Sequence, residues 1–148
     1  MEALIFCGLQ GAGKTSFYQE RFFNTHLRSS LDLLKTRARE ALFLKTCLES
    51  GQRFVVDNTN PTRINRSVYL KAAKRKNFTV AGYYFSSKLQ DALARNMARP
   101  GKARVPEQAV KATLAKLERP TLAEGFDQLY YVSLVGGIFT VSEWRDEI

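Results

Sequence analysis

Cysteine and histidine are scarce in this chain. Its 148 residues include two cysteines, Cys7 and Cys47, and one histidine, His26. Both cysteines lie in apolar stretches without a partner nearby, which favours reduced core thiols over a disulfide framework or a metal site. His26 is expected to be structural rather than a catalytic base. Reduced thiols are typical of a cytoplasmic protein, which is the location we expect.

Long hydrophobic runs are also missing. No apolar stretch approaches the roughly 20 residues that a transmembrane helix needs, so no membrane association is expected. The apolar run at 3–7 is too short for the core of a signal peptide and leads directly into a motif. No repeat, linker or low-complexity stretch interrupts the chain, so residues 1–148 are expected to form one domain.

Acidic residues are few, and their shortage is local. The chain has 23 Lys and Arg against 14 Asp and Glu, a formal net charge of +9. Residues 62–119 hold fourteen basic and three acidic side chains, whereas residues 120–148 hold one basic and five acidic. A concentrated positive field attracts polyanions such as nucleic acid. A solvated surface that includes phosphate-binding cations would give the same count, so charge leaves both interpretations open.

Short apolar runs alternate with helical patterns along the chain. The predicted strands are residues 3–7, 53–56, 79–85 and 129–134, with a hairpin near 136–141. The predicted helices are residues 14–23, 32–49, 60–76, 88–99 and 106–117, the second ending at Ser50 and Gly51. This alternation predicts an α/β fold with a central, mainly parallel sheet that is covered on both faces.

Residues 8–15, Gly-Leu-Gln-Gly-Ala-Gly-Lys-Thr, match the phosphate-binding loop pattern G-x-x-x-x-G-K-[ST], called the P-loop below. The glycines allow backbone N–H groups to point at phosphate oxygens, and the following helix adds its positive end. Lys14 is predicted to bridge the β- and γ-phosphates, and the Thr15 hydroxyl to bind Mg²⁺. A Gly-rich turn capping a helix would not explain the strand before it. The predicted nucleotide contacts in this loop are Gly8, Gly11, Ala12, Gly13, Lys14, Thr15 and Ser16.

A P-loop leaves the reaction open, because GTPases, ATP-driven machines and kinases all use one. The chain lacks the Asn-Lys-x-Asp motif that specifies guanine, and it is short for a mechanical ATPase. A small kinase with a three-layer, nucleoside-kinase-like P-loop fold therefore fits best. ATP is the expected donor, although the sequence does not settle a preference over GTP.

Two carboxylates are candidates for the chemistry. Asp32 lies where the chain enters the second predicted helix, so it is either the base that takes the acceptor's proton or a plain helix N-cap. Asp57 follows an apolar strand, where a carboxylate beside the P-loop is suited to hold Mg²⁺ directly or through water. A cap of the following loop is the alternative for Asp57.

Cations that could neutralise a transferring phosphoryl group are clustered around a helix break at residues 100–101. They are Arg95, Arg99, Lys102 and Arg104. The first two are spaced i, i+4, so they share a helix face, and the group is predicted to form a mobile lid that closes on ATP phosphates. A solvated basic face is the alternative. Arg63 and Arg66 are the cations nearest to Asp57 in sequence and are predicted to contact substrate.

Together these stretches resemble the kinase domain of 5′-hydroxyl polynucleotide kinases. The family includes the kinase half of animal polynucleotide kinase-phosphatase and small bacterial P-loop ATPases. The likeness rests on residues 8–15, on Asp32 in its setting, on Val-Asp-Asn-Thr-Asn-Pro at 56–61 and on Pro-Thr-Leu-Ala-Glu-Gly-Phe at 120–126. It implies that Asp32 is the general base for the 5′-OH and that Arg99 is the lid arginine on the donor phosphates.

The likeness also implies contacts to the acceptor, and here the chain departs from the family. The family signature Asp-x-x-Arg places an arginine on a neighbouring acceptor phosphate, but the matching residue is Lys35, with Arg37 two positions on. Lysine lacks the planar fork of arginine, so acceptor preference is expected to differ, and which of the two takes the role stays open. The candidate acceptor contacts are Asp32, Lys35, Arg37, Asn58, Arg63 and Arg66.

The hypothesis is an ATP- and Mg²⁺-dependent kinase that acts on the 5′-OH end of a nucleic acid, DNA or RNA. No Asp-x-Asp-x-Thr phosphatase motif is present, so 3′-phosphatase activity is not expected of this chain. Two alternatives stay open: a P-loop kinase of a small molecule such as a nucleoside, sugar or metabolite, and a nucleotide-binding regulatory protein with little turnover.

Overall fold

The computed structural model describes residues 1–101 and 104–145. Six strands of these residues form one sheet: β1 (Glu2–Cys7), β2 (Leu27–Ser29), β3 (Phe54–Val56), β4 (Thr79–Phe85), β5 (Gln128–Val135) and β6 (Ile138–Glu143). Their order across the sheet is β2-β3-β1-β4-β5-β6. All neighbouring strands pair in parallel except β5 and β6, which form an antiparallel hairpin. The predicted α/β fold with a mainly parallel sheet is confirmed.

Helices connect the strands. Within the described residues they are α1 (Lys14–Arg21), α2 (Leu31–Leu34), α3 (Arg37–Ser50), α4 (Arg63–Arg75), α5 (Leu89–Met97) and α6 (Glu107–Lys116), with a 3-10 turn at Leu122–Glu124. In this part of the chain, no helix is both long and apolar enough to cross a membrane. Cys7 and Cys47 are buried and free, as the sequence predicts.

Strand β1 lies at the centre because it is apolar on both faces. Ala3 and Ile5 belong to a core that includes side chains of α3 and α4. Leu4 and Phe6 belong to a second core on the opposite face, built with Phe17 of α1. Helices therefore cover both faces of the sheet.

The second predicted helix is in fact two helices. The prediction of one helix over 32–49 is wrong because Lys35 takes a φ of 73°, which ends α2 after one turn. The Thr36 hydroxyl then accepts a hydrogen bond from Arg39 N and starts α3. Gly51, in the left-handed region, ends α3 as predicted.

The start of α4 also differs from its prediction. Asn60 and Pro61 were expected to open this helix, but Asn60 has a φ of 44° and its side chain donates to Phe6 O at 2.7 Å. Thr62 and Asn65 form a reciprocal capping box, so the helix begins at Arg63. Strand β2, which the sequence did not predict, is three residues long and lies at the sheet edge.

The stretch at 120–126 has a packing role. Phe126 lies against Gly82 in β4, where a Cβ would come within 2.7 Å of the Phe126 ring. Only glycine allows this approach, so the aromatic ring seals the core between β4 and the 3-10 turn.

Candidate active site

The P-loop joins β1 to α1 at the carboxyl edge of the parallel strands. Gly8 N donates to Thr59 O at 3.0 Å, which ties the loop to the segment after β3. Gly11 has a φ of 81°, and a Cβ there would come within 2.5 Å of the Ala92 carbonyl oxygen. Helix α5 therefore packs directly against the backbone turn that the glycine permits.

Lys14 is buried at the start of α1, and its ammonium group faces back into the loop. Nζ donates to the carbonyl oxygens of Gly8 at 2.9 Å and Leu9 at 2.7 Å. Burial lowers the pKa of Lys14 from 10.5 to about 8, and the negative charge of Asp57 opposes this shift. The loop thus holds a phosphate-binding cation on its own carbonyl groups.

Asp32 lies in the first turn of α2 with an exposed side chain. The N-cap of this helix is Ser30, whose Oγ accepts from Asp32 N at 3.2 Å, so the alternative that Asp32 is the cap is wrong. The charge of Asp32 raises the pKa of Lys14, and the charge of Arg99 lowers it. Both residues therefore lie within electrostatic reach of the P-loop lysine.

Thr15 and Asp57 are joined directly. Thr15 Oγ1 donates to Asp57 Oδ2 at 2.8 Å, and the Asp57 side chain is 2% exposed. Arg28, at the middle of β2, joins the same pair: its Nε donates to Asp57 Oδ2 at 2.8 Å and its Nη2 to Thr15 Oγ1 at 3.1 Å.

The two oxygen donors of this pair fit magnesium. Mg²⁺ prefers hard oxygen ligands and usually takes only one or two from the protein, the others being water and substrate phosphate. Residues 1–101 and 104–145 contain no group of three or more His, Cys, Asp or Glu side chains that could hold a metal unaided. Thr15 and Asp57 are therefore suited to a metal that arrives with nucleotide phosphates.

A buried polar network supports α2. Asn58 Oδ1 accepts from Leu31 N at 3.0 Å, and Asn58 Nδ2 donates to Glu40 Oε2 at 3.0 Å. The Tyr69 hydroxyl donates to Glu40 at 3.0 Å, and Arg37 Nη1 donates to Glu40 Oε1 at 3.1 Å and to Tyr69 OH at 2.9 Å. Burial and Glu40 raise the pKa of Tyr69 to about 12, so its hydroxyl stays protonated as a donor.

This network changes two predicted substrate contacts. Asn58 uses both ends of its amide inside the protein and holds α2; its contact with substrate stays a prediction. Arg37 is 65% exposed, but its Nη1 is bound to Glu40 and Tyr69. Lys35 and Arg37 are the two candidates for contacting the acceptor phosphate. Within the described residues, the Arg37 side chain is hydrogen-bonded to other side chains and the Lys35 side chain is not.

Arg66 is completely buried, which contradicts its predicted contact with substrate. Nε and Nη2 donate to the two carboxylate oxygens of Glu124 at 2.9 and 3.1 Å, and Nη1 donates to Asn60 O at 2.9 Å. A buried guanidinium is stable only with such complete pairing. Arg66 therefore connects α4 to the 3-10 turn and to the segment after β3.

Two neighbouring residues near the end of α5 connect it to different parts of the site. Arg95 Nη1 donates to Gly11 O at 3.3 Å and Nη2 to Leu134 O at 3.1 Å, so Arg95 contacts the back of the P-loop. Buried Asn96 pairs with Val105 through two hydrogen bonds, of 2.6 and 2.9 Å. These bonds join the two ends of the loop that carries the predicted lid cations.

The other lid cations are only partly described. Arg104 Nη2 donates to Met97 O at 2.7 Å and its Nε to Arg99 O at 3.3 Å, so its side chain folds back on the end of α5. Lys102 lies outside the described residues. Closure of a lid stays a prediction.

Three further predicted contacts are exposed. Ser16 lies in the first turn of α1, and Lys35 lies at the end of α2. Arg63 lies in the first turn of α4, its side chain 57% exposed, with Nε 4.0 Å from Glu118. All three lie on elements that start or end at the P-loop edge of the sheet.

Sequence reasoning missed Arg28, Glu40 and Tyr69. Arg28 reaches Asp57 across 29 positions of the chain, and Tyr69 reaches Glu40 across the same separation. Neither pair leaves a local pattern. The cap at Ser30 was detectable, because serine is a preferred N-cap and acidic residues are frequent in the first turn of a helix.

This arrangement of a parallel sheet, a P-loop between β1 and α1, and a carboxylate after β3 defines a P-loop fold of the kinase-like class. A family model described as an AAA domain matches residues 21–120, about two thirds of the chain. The protein belongs to this family of P-loop proteins. The matched range begins after residue 15, so the assignment does not depend on the P-loop motif.

Two relatives carry names from polynucleotide chemistry. The bifunctional polynucleotide phosphatase/kinase of Schizosaccharomyces pombe is 24% identical over 129 residues, which are 84% of this chain and 32% of that protein. A protein of Acanthamoeba polyphaga mimivirus assigned the same name is 32% identical over 78 residues, 52% of this chain and 18% of that protein. The chain therefore spans about a third or less of the length of these relatives.

Several solved structures share this fold. A gluconokinase from Sinorhizobium meliloti has a TM-score of 0.64 at 17% identity, over 89% of this chain and 82% of that chain. Chaetomium thermophilum Kti12, in complex with ADP-AlF3, has a TM-score of 0.61 at 13% identity, over 88% of both chains. At such identities the likeness concerns the fold alone.

Proposed function

We propose that this protein is an ATP-dependent kinase that transfers the γ-phosphate to the 5′-OH end of a polynucleotide. The observation that carries the proposal is the exposed carboxylate of Asp32 at the start of α2, which follows the parallel strand β2 at the same edge of the sheet as the P-loop. An accessible base beside the donor phosphates is what transfer to a hydroxyl acceptor requires. The polynucleotide acceptor is supported by the two relatives named for polynucleotide chemistry.

In the proposed reaction, Asp32 accepts the proton of the 5′-hydroxyl as that oxygen attacks the γ-phosphorus. The bond from the γ-phosphorus to the oxygen bridging the β-phosphate breaks, and ADP leaves with that electron pair. Lys14 loses its contacts with the Gly8 and Leu9 carbonyl groups and donates to the β- and γ-phosphates instead. Arg99 adds positive charge from the α5 side.

Thr15 and Asp57 would hold the magnesium ion, which supplies positive charge to the donor phosphates when bound. The hydrogen bond from Thr15 Oγ1 to Asp57 directs the hydroxyl proton towards the carboxylate. A lone pair of the threonine oxygen is then available on the opposite side. Asp57 thereby orients a ligand as well as contributing its own charge.

The test is transfer of labelled γ-phosphate from ATP to a panel of acceptors: 5′-OH DNA and RNA oligonucleotides, mononucleosides and gluconate. We expect label on oligonucleotides. Asp32→Asn should lower the rate at least about 100-fold while the Kd for ATP changes less than about twofold, because only the proton acceptor is removed. Asp91→Asn, an exposed aspartate in the first turn of α5, is the matched control and should transfer normally.

Other outcomes would replace the proposal. Label on the mononucleosides or gluconate, with none on oligonucleotides, would assign a small-molecule kinase. Tight ATP binding without transfer to any acceptor would assign a nucleotide-binding regulatory protein. Undiminished transfer by Asp32→Asn would remove Asp32 as the base.

A further inference from the structure

Arg28 places a positive charge where the proposed metal ligands meet. Its Nε is 2.8 Å from Asp57 Oδ2, and its Nη2 is 3.1 Å from Thr15 Oγ1. No motif includes this arginine, and the proposed reaction does not use it.

Arg28 uses hydrogen-bonding positions of the two proposed metal ligands, Thr15 and Asp57. Thr15 Oγ1 has one proton, which it donates to Asp57, and two lone pairs, of which Arg28 takes one. Asp57 Oδ2 already accepts from both Thr15 and Arg28. A cation bound between these two oxygen atoms would compete with the guanidinium for the space beside them and for the lone pairs of Asp57 Oδ2, while Thr15 Oγ1 keeps one lone pair for it.

Arg28 is also held more loosely than the structural arginine nearby. Arg66 is fully buried and makes a two-pronged pair with both oxygens of Glu124. Arg28 contacts a single oxygen of Asp57 and keeps 19% of its side chain exposed. The buried charge of Asp57, which is 2% exposed, is stabilised by a positive neighbour, whereas Arg28 is itself partly open to solvent.

We propose that Arg28 is an internal counter-ion that occupies the divalent-cation position in the nucleotide-free protein and leaves it when Mg²⁺ binds. The inference rests on the proposed role of Thr15 and Asp57 as metal ligands. Arg28 stabilises the carboxylate while the site holds no metal and competes with a divalent ion for it. Magnesium therefore binds the free protein weakly and binds well only together with ATP phosphates.

The experiment measures Mn²⁺ binding to the nucleotide-free protein by electron paramagnetic resonance, without ATP and without turnover. Arg28→Gln should bind Mn²⁺ about tenfold more tightly than the unchanged protein, because the competing charge is gone. Arg21→Gln is the matched control: it removes the same charge from the exposed end of α1, where Arg21 pairs with Glu20. It should change Mn²⁺ affinity less than about twofold.

Thermal unfolding supplies a second measurement. Arg28→Gln leaves Asp57 buried with one cation fewer, so its Tm should fall and Mn²⁺ should restore it, whereas Mn²⁺ should barely move the Tm of the unchanged protein. If Arg28→Gln does not fold, Arg28→Lys replaces it. Lysine keeps the charge but makes a single-point contact, and it should tighten Mn²⁺ binding by about threefold.

Unchanged or weaker Mn²⁺ affinity in the folded Arg28 variant would overturn the inference and make Arg28 a fixed structural ion pair. Tighter binding that persists in the Arg28→Gln, Asp57→Asn double variant would also overturn it, because the ion would then be bound elsewhere. These measurements are independent of phosphoryl transfer. Competition at Asp57 can therefore be established even if the acceptor panel shows no kinase activity.

Discussion

At the scale of single residues, Lys14 is buried but must carry a positive charge to bind phosphate. Its ammonium is enclosed by the carbonyl oxygens of Gly8 and Leu9, and burial lowers its pKa to about 8. Phosphate binding requires the protonated form. The nucleotide-free protein therefore loses part of this charge at mildly alkaline pH.

ATP affinity should consequently fall as the pH rises above about 8. Below that pH, Lys14 is already protonated when ATP binds. Above it, Lys14 must take up a proton from solvent as ATP binds, so the Kd for ATP rises by up to about tenfold per pH unit. Calorimetry in buffers of different ionisation enthalpy measures both the affinity and the proton uptake. Lys14→Arg should take up no proton, because arginine stays charged. Constant affinity and no proton uptake by the unchanged protein up to about pH 9.5 would contradict the prediction.

Lys35 combines a strained backbone with a predicted acceptor contact. Its φ of 73° is unfavourable for a residue with a side chain. The free energy of unfolding of Lys35→Gly, measured with urea, should therefore equal that of the unchanged protein or exceed it by up to about 1 kcal/mol. The KM for the oligonucleotide should rise, because the acceptor phosphate loses the cation that contacts it.

A matched variant separates the two effects of that substitution. Arg39→Gly removes the same charge from an exposed helical position of α3 and should destabilise by about 1 kcal/mol without changing KM. If Lys35→Gly loses as much stability as Arg39→Gly, or leaves KM unchanged, one of the two roles assigned to Lys35 is wrong.

At the scale of elements, α2 is too short to be stable alone. Four residues make about one turn, and a helix of that length in water is far below the length needed for stability. Its position comes from the Ser30 cap and from Asn58, which binds Leu31 N and joins α2 to Glu40 and Tyr69. Asp32, the proposed base, is therefore placed by residues of other elements.

Asn58→Ala should lower the transfer rate about tenfold or more while the Kd for ATP is preserved, because α2 loses its anchor and the P-loop does not. Single-turnover rates and ATP titration measure the two quantities. Asn65→Ala is the control, since it breaks the capping box of α4 at a similar cost of about 1 kcal/mol. Equal effects of the two variants on transfer would show that Asn58 contributes stability alone.

At the scale of the whole molecule, the fold divides the basic segment at 62–119. Helix α4 starts at the P-loop edge and runs about 20 Å to the opposite edge, a length set by its thirteen residues. Arg63 is at the near end. Lys74, at the far end, pairs with Asp127 at 2.6 Å. Cations at the two ends of α4 therefore lie at opposite edges of the sheet.

Oligonucleotide affinity should reflect this division. Arg63→Gln should weaken binding and reduce the slope of log K against log salt by about one, because one phosphate contact is lost at the near edge. Lys71→Gln, an equal charge change on the same helix but towards the far edge, should leave both nearly unchanged. Fluorescence anisotropy at several salt concentrations measures them. An equal loss in the two variants would place the acceptor along the whole of α4.

Much of the fold follows from local patterns. Apolar runs of five to seven residues predicted β1 and β4, and the P-loop motif predicted the turn and helix between β1 and residue 21. The break at Lys35 was not predictable from helical spacing, because the apolar positions on either side continue the same period. Strand β2 was missed because its three residues, Leu-Arg-Ser, contain one apolar side chain.

The sequence by itself determined the P-loop and the class of fold, because each depends on residues close together in the chain. The role of Asp32 as the base is implied by a family resemblance and stays a prediction. Tertiary structure decided which arginines are used inside the protein: Arg66 is paired with Glu124, and Arg28 is bound to Thr15 and Asp57. The physical reason is that a guanidinium is committed by its burial and its partners. Those partners lie 13 to 58 positions away along the chain and meet only when the sheet is assembled.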